Sequence, residues 1–278
     1  MQNKNIIFIV VLSFALILLG FLFIKKYLIN KNTENQYKII FLHHSTGGII
    51  KSGEIRPIRF IGRFLKQESY ISNWLKQYNT SNETNYVIDE QYFPKEELYG
   101  WNNYPYDYYN IWVKNAGDQP YLNEPTLEIL TKQYNLIIFK HCYPVSNIKE
   151  DINQPDINSS EKRIENYKLQ YLALKQKLNE FPDTKFLVWT GAAQIESNIT
   201  KEQAQRAKEF FDWVLKEWDT PNDNIFIWDF YNLETEGTLY LKTEFATNPS
   251  DSHPNLSFAK RVSRLFCERI IEVIEQNK

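Results

Sequence analysis

A chain of 278 residues that is 43% hydrophobic and 15% aromatic, with only 9 glycines, can bury a substantial core, which excludes a low-complexity or disordered polymer. Its formal net charge is −2; residues 1–36 hold an excess of lysine, so the remainder carries −5, a balance that argues against a nucleic-acid binder. Cys142 and Cys267 are the only cysteines and form no CxxC pair, so neither a disulfide framework nor a cysteine-rich zinc site is encoded.

The first predicted element is the uncharged run from Ile6 to Ile24, interrupted only by Ser13 and Gly20. As a helix it measures about 28 Å, the thickness of a bilayer core. It ends in Phe21-Leu22-Phe23-Ile24-Lys25-Lys26, without the small-residue cleavage site of a signal peptide, so a retained transmembrane helix is expected. Lys25, Lys26 and Lys31 follow the span and only Lys4 precedes it, which by the positive-inside rule alone would keep the body cytoplasmic. A short tail, one span and a large domain is nevertheless the layout of a signal anchor, and large domains translocate largely regardless of charge. The expectation is a single-pass protein of the cell membrane with its body outside. Asn30 to Gln36 reads as a polar stalk, which leaves an anchor and stalk at 1–36 and one domain of about 240 residues at 37–278.

Within that domain strand-like and helix-like segments alternate. Short apolar or β-branched runs predict strands at Lys38–Leu42, Tyr86–Tyr92, Leu136–Lys140, Lys185–Trp189 and Asn224–Phe230. Ile58, Ile61, Phe64, Leu65, Ile71, Trp74 and Leu75 recur at helical spacing. So do Ala204, Ala207, Phe210, Phe211, Val214 and Trp218, after a capping box at Thr200-Lys201-Glu202-Gln203. A last helix follows Pro254-Asn255, with Ala259, Val262, Phe266 and Ile270 on its inner face. This alternation predicts a flavodoxin-like three-layer α/β/α sandwich with a mostly parallel sheet, preceded by the one N-terminal transmembrane helix. In such sheets, sites form at the carboxyl ends of the strands.

Phe41-Leu42-His43-His44-Ser45-Thr46-Gly47-Gly48 directly follows the first strand, so Ser45 sits where a strand ends and a turn begins. A serine there needs a base to take its proton, and a glycine-rich turn leaves backbone N–H groups to face an oxyanion. Ser250-Asp251-Ser252-His253-Pro254-Asn255, just before the last helix, supplies a histidine and a carboxylate together. Asp251 and His253 are two apart, so in an extended stretch their side chains point the same way.

These two segments, placed after the first strand and before the C-terminal helix, resemble the SGNH (GDSL-like) hydrolase superfamily across residues 37–278. The resemblance implies an esterase in which Ser45 attacks and His253 is its base, with Asp251 or another acceptor orienting the imidazole, or a Ser-His dyad without one. By the same resemblance Asn115-Ala116-Gly117-Asp118 matches the family's glycine block, so Gly117 and Ser45 are the expected oxyanion donors. The chain departs from the family in three places. His43-His44 precede the serine instead of Gly-Asp, the acid stands two residues before the histidine instead of three, and the oxyanion asparagine is missing from Phe139-Lys140-His141-Cys142-Tyr143-Pro144. Cys142 lies near its place and Asn147 a few residues later. Ester substrates are implied, O-acetyl groups on cell-surface glycan among them, with no cofactor.

Two rival functions share the residues: an O-acyltransferase using the same acyl-enzyme, and a non-catalytic surface binding module that keeps the fold. A metal site would draw on His43, His44, Asp251 and His253, but adjacent residues on a strand face opposite sides and do not readily reach one ion, so no metal is expected. The stretch from Tyr99 to Trp112 is dense in aromatics and amides, which suits either sugar recognition or packing over the sheet.

Overall fold

The structure, a computed structural model, describes residues 36–53, 68–95, 98–100 and 103–276. The predicted span at 6–24 lies outside the described residues, as do Ile58, Ile61, Phe64 and Leu65 of the first predicted helix. Among the described residues no helix is long and apolar enough to cross a membrane.

In chain order the elements are β1 (Tyr37–His43), α1 (Ser45–Ser52), α2 (Tyr70–Asn82), β2 (Tyr86–Tyr92) and α3 (Pro105–Tyr109), the last running on as a π-helical turn to Lys114. Then come α4 (Leu127–Leu130), β3 (Leu136–Phe139), a 3-10 turn at Tyr143–Ser146, α5 (Ile164–Leu178), β4 (Lys185–Trp189) and α6 (Lys201–Trp213). The chain closes with β5 (Ile225–Trp228), α7 (Phe230–Thr235), the short strands β6 (Ala246–Asn248) and β7 (Asp251–Pro254), and α8 (Leu256–Glu275).

Five strands pair in parallel in the order β2-β1-β3-β4-β5, the flavodoxin-like order. Alternation along each strand builds two cores. Ile40, Leu42, Ile137, Phe139, Phe186 and Val188 face α3, α5 and α6, whereas Ile39, Phe41, Leu136, Ile138, Leu187 and Trp189 face α1, α2 and α8. Because both faces are covered, the inner strands are continuous apolar runs with no polar alternation. The edge strand β2 instead carries Asp89 and Glu90 and is half exposed, which blunts further pairing.

Helix ends follow local chemistry. Thr200 Oγ1 accepts the Gln203 N–H and the Gln203 side chain answers to Thr200 N, both at 3.2 Å, so the capping box starts α6. Asn255 Oδ1 accepts from Phe258 N at 2.9 Å and starts α8. From there Phe258, Ala259, Val262, Phe266 and Ile270 line the buried stripe of α8, each large side chain contributing about 1.5–3 kcal/mol over an exposed position. The predicted strand 224–230 is cut short at Trp228, because the Asp229 side chain accepts from Asn232 N and turns the chain into α7.

Candidate active site

The carboxyl end of β1 runs into α1 through His44, so Ser45 is the first residue of an eight-residue helix whose opening N–H groups have no partner within the helix. Gly47 lets this helix lie against the strands. A Cβ there would stand 2.4 Å from His43 Cβ and 3.0 Å from Lys140 Cδ, a clash that only glycine avoids. Gly48 N donates to His44 O at 2.9 Å and closes the first turn.

The two histidines before Ser45 turn to different surroundings. His43 places Nδ1 3.0 Å from His44 O, with Nε2 3.6 Å from Glu90 Oε2; Glu90 also pairs with Lys51. His44 is fully buried, and burial, with the Lys140 charge second, pushes its imidazole down to about 4, so it is neutral near pH 7. Among the described residues no group of three or more His, Cys, Asp or Glu side chains is arranged to hold a metal ion.

The β6–β7 hairpin, which sequence patterning did not predict, carries the other half. β7 is extended, so Asp251 and His253 share one face while Ser252 turns inward, where its Oγ accepts from Ile195 N and Asn198 Nδ2, both at 3.2 Å. Asp251 Oδ1 lies 2.6 Å from His253 Nδ1 and accepts the His253 backbone N–H at 3.0 Å. Burial alone would raise the Asp251 carboxyl; these two hydrogen bonds outweigh it and hold the group below its ordinary value. The Tyr143 ring meets the imidazole edge-on, 5.2 Å between centroids at 90°. α1 packs against both β7 and α8, with Ser263 Oγ donating to Ile50 O. Thus the helix that begins with Ser45 and the strand that carries Asp251 and His253 are neighbours.

Gly117 is not brought there. The ten residues from Pro105 to Lys114 are helical, and within them Tyr108 Oη donates to Lys140 O at 2.8 Å. Gly117 ends beside α4: its carbonyl accepts from Thr126 Oγ1 at 2.5 Å and its N–H serves the Glu128 carboxylate, which pairs with Lys177 at 2.7 Å just before β4 begins. The expected oxyanion donor thus has its N–H and carbonyl engaged around α4. The other residues near the missing asparagine are also engaged. The Cys142 N–H donates to Asn103 O at 3.3 Å, Asn147 Oδ1 accepts from Gln194 at 2.6 Å, and the buried His141 has Nε2 2.6 Å from Tyr171 Oη.

Sequence reading passed over Lys140. It follows four apolar strand residues, is fully buried beneath Gly47, and donates from Nζ to His141 O at 2.5 Å. Glu234, equally buried, accepts from Ala193 N at 2.6 Å; burial pushes its carboxyl up to about 8, against that hydrogen bond and the Lys140 charge. A lysine ending an otherwise apolar run is the signal that could have flagged this buried cation, since lysine is almost never fully buried without a function or a partner.

The described residues of the Tyr99–Trp112 stretch divide between core and surface. Tyr108, Ile111 and Trp112 belong to the core, against Phe93 and Phe139. Tyr99, Tyr104, Tyr106, Asp107 and Asn110 instead line a cavity of about 360 Å³ with Ser160 at its rim. Trp101 and Asn102 lie outside the described residues.

No family model matches the chain, and no curated protein matches it in sequence. Its fold resembles those of several solved enzymes. A gut microbial diltiazem-metabolizing enzyme aligns over 84% of this chain and 46% of its own, at 12% identity and a TM-score of 0.47. A family two carbohydrate esterase from Cellvibrio japonicus aligns over 87% of this chain and 62% of its own, at 13% identity and a TM-score of 0.41. A protein assigned as an arylesterase from Agrobacterium tumefaciens aligns over 86% of this chain and 99% of its own, at 9% identity and a TM-score of 0.41. Esterases stand among its structural neighbours. The chain spans about half the length of the first of these and under two thirds of the carbohydrate esterase. Likeness at this level is loose, and the chemistry of the site rests on its own residues.

Proposed function

We propose that the protein is a serine ester hydrolase of the SGNH type, acting through an acyl-enzyme on Ser45. The observation that carries this reading is the Asp251–His253 couple, 2.6 Å between Oδ1 and Nδ1, on a strand packed against the helix that Ser45 begins. With Nδ1 bound to the carboxylate, His253 has Nε2 left to take the Ser45 proton as the hydroxyl attacks an ester carbonyl, and later to give it to the leaving alcohol. Asp251 holds the tautomer and stabilises the imidazolium. The Ser45 N–H, at the positive end of α1, faces the oxyanion. Water then releases the acyl group. O-acetyl groups on cell-surface glycan are the substrate proposed, with residues 1–36 as anchor and stalk and the 37–278 domain outside the membrane.

The test is p-nitrophenyl acetate hydrolysis by the full chain, together with labelling by a fluorophosphonate. Ser45→Ala and His253→Ala each abolish turnover, the double variant is scarcely worse than either, and Ser45→Ala loses the label. A folded Ser45→Ala protein that keeps wild-type turnover sinks the assignment; a wild type that never labels points to a binding module.

A further inference from the structure

We propose that the cavity walled by Tyr99, Tyr104 and Tyr106 is a glycan subsite, seating a pyranose ring of the oligosaccharide whose O-acetyl ester lies between Ser45 and His253. This rests on the esterase reading for its catalytic part, and stands apart from it for binding.

The cavity, about 360 Å³, is at the small end of ligand pockets and fits a compact ring, not a long chain. Its walls are tyrosine rings, flat and amphipathic, able to lie against the C–H face of a sugar while their hydroxyls reach its polar edge. Its floor is polar and already oriented. The buried Asp107 carboxylate accepts from Tyr99 Oη at 3.0 Å and Tyr104 N at 2.7 Å, Asn110 Nδ2 donates to Tyr99 Oη at 3.1 Å, and Asn115 Nδ2 donates to Asn110 Oδ1 at 3.1 Å. A site whose polar groups are fixed before binding loses little freedom when the ligand arrives.

Other ligand classes fit worse. Among the described residues Leu122 is the single aliphatic side chain in the lining, so a fatty acyl chain meets little apolar wall there. A cationic ligand would meet Lys162, whose Nζ lies 4.0 Å from the centre of the Tyr104 ring and occupies the face that would attract it. A phosphate-bearing ligand would meet the carboxylate floor.

The cavity wall and His253 both border the Tyr143–Ser146 turn. Lys162, besides covering Tyr104, donates to Pro144 O at 3.1 Å, and Pro144 follows Tyr143, the residue whose ring abuts His253. Lys162 thus bridges the Tyr104 wall of the cavity and the turn that follows Tyr143.

Two substitutions test this at the wall and rim, where the fold is least involved: Tyr106→Ala, half-buried, and Ser160→Trp, exposed and placed to fill the mouth. The full chain is titrated by calorimetry with xylotetraose and with the N-acetylglucosamine tetramer, and assayed on their O-acetylated forms and on p-nitrophenyl acetate. At least one tetrasaccharide binds, and both variants raise its Kd and the KM of its acetylated form by about tenfold, with kcat and p-nitrophenyl acetate turnover unchanged. If neither tetrasaccharide binds the wild type, or both variants behave like it, the subsite is wrong. Equal losses on the acetylated glycan and on p-nitrophenyl acetate also overturn it, because the damage then lies in the catalytic centre. A wild type inactive on every ester removes the esterase reading alone, since the titrations still report on the cavity.

Discussion

Asp251 binds His253 twice through a single oxygen: Oδ1 accepts the backbone N–H at 3.0 Å and stands 2.6 Å from Nδ1 of the imidazole. The carboxylate thus fixes both where the histidine stands in the chain and how its ring is turned. In Asp251→Asn an amide can keep one of these bonds but favours the wrong tautomer, so kcat on p-nitrophenyl acetate falls by about 10⁴, as in known triads. A loss under about tenfold, roughly 1.4 kcal/mol in the barrier, removes Asp251 from the catalytic set.

Gly47 and Gly48 are neighbours on α1 with opposite expected responses. In Gly47→Ala the new methyl meets His43 Cβ at 2.4 Å, and overpacking costs about 1–3 kcal/mol while shifting the start of the helix and lowering esterase turnover. In Gly48→Ala the nearest atom is His43 Cε1 at 3.5 Å, an ordinary contact, so the alanine is neutral or stabilises by up to about 1 kcal/mol. Melting temperatures and initial rates of the pair decide it; equal effects at both positions contradict the packing of α1 on β1 and β3.

Acid should weaken the fold through His44 and His141. Burial, followed by the Lys140 charge, holds them at about 4 and about 3, below the ordinary 6.5. Between pH 6.5 and 4 the unfolded chain takes up protons that the native one refuses, so stability falls as pH falls. The slope approaches one proton per histidine, about 1.4 kcal/mol per pH unit each. Urea unfolding between pH 4 and 7 measures it, and His141→Asn should lower the slope by about one proton.

Glu234 acts in the opposite direction. Its carboxyl is held up to about 8 against the ordinary 4.5, so the native state keeps a proton that the unfolded chain releases, and its contribution is lost as pH rises from 4.5 to 8. Glu234→Gln retains an acceptor for the Ala193 N–H and removes the titration. The variant should gain melting temperature relative to wild type as pH rises through this window; a constant difference at all pH values refutes the shift.

The proposed topology is tested on intact cells. If residues 6–24 anchor the chain with its body outside, added protease digests the 37–278 domain without lysis. Protection until lysis places the domain inside.

Local patterns determined much of this protein in advance. Tyr86–Tyr92 and Lys185–Trp189 form as strands with the expected bounds, the Thr200 capping box starts α6, and the i, i+2 spacing of Asp251 and His253 places both on one face of β7. Each depends on residues a few positions apart, where dihedral preference and periodicity decide the outcome. Tertiary structure alone decided the rest. β1 lies between β2 and β3, so that Ser45 emerges beside a strand some two hundred residues downstream. Gly117 is engaged beside α4 by Thr126 and Glu128, and Lys140 ends up sealed beneath Gly47. Neither the partner of one backbone group nor the burial of one side chain is encoded in its neighbours. Both follow from which distant surfaces pack together, and that is settled only when the whole core closes.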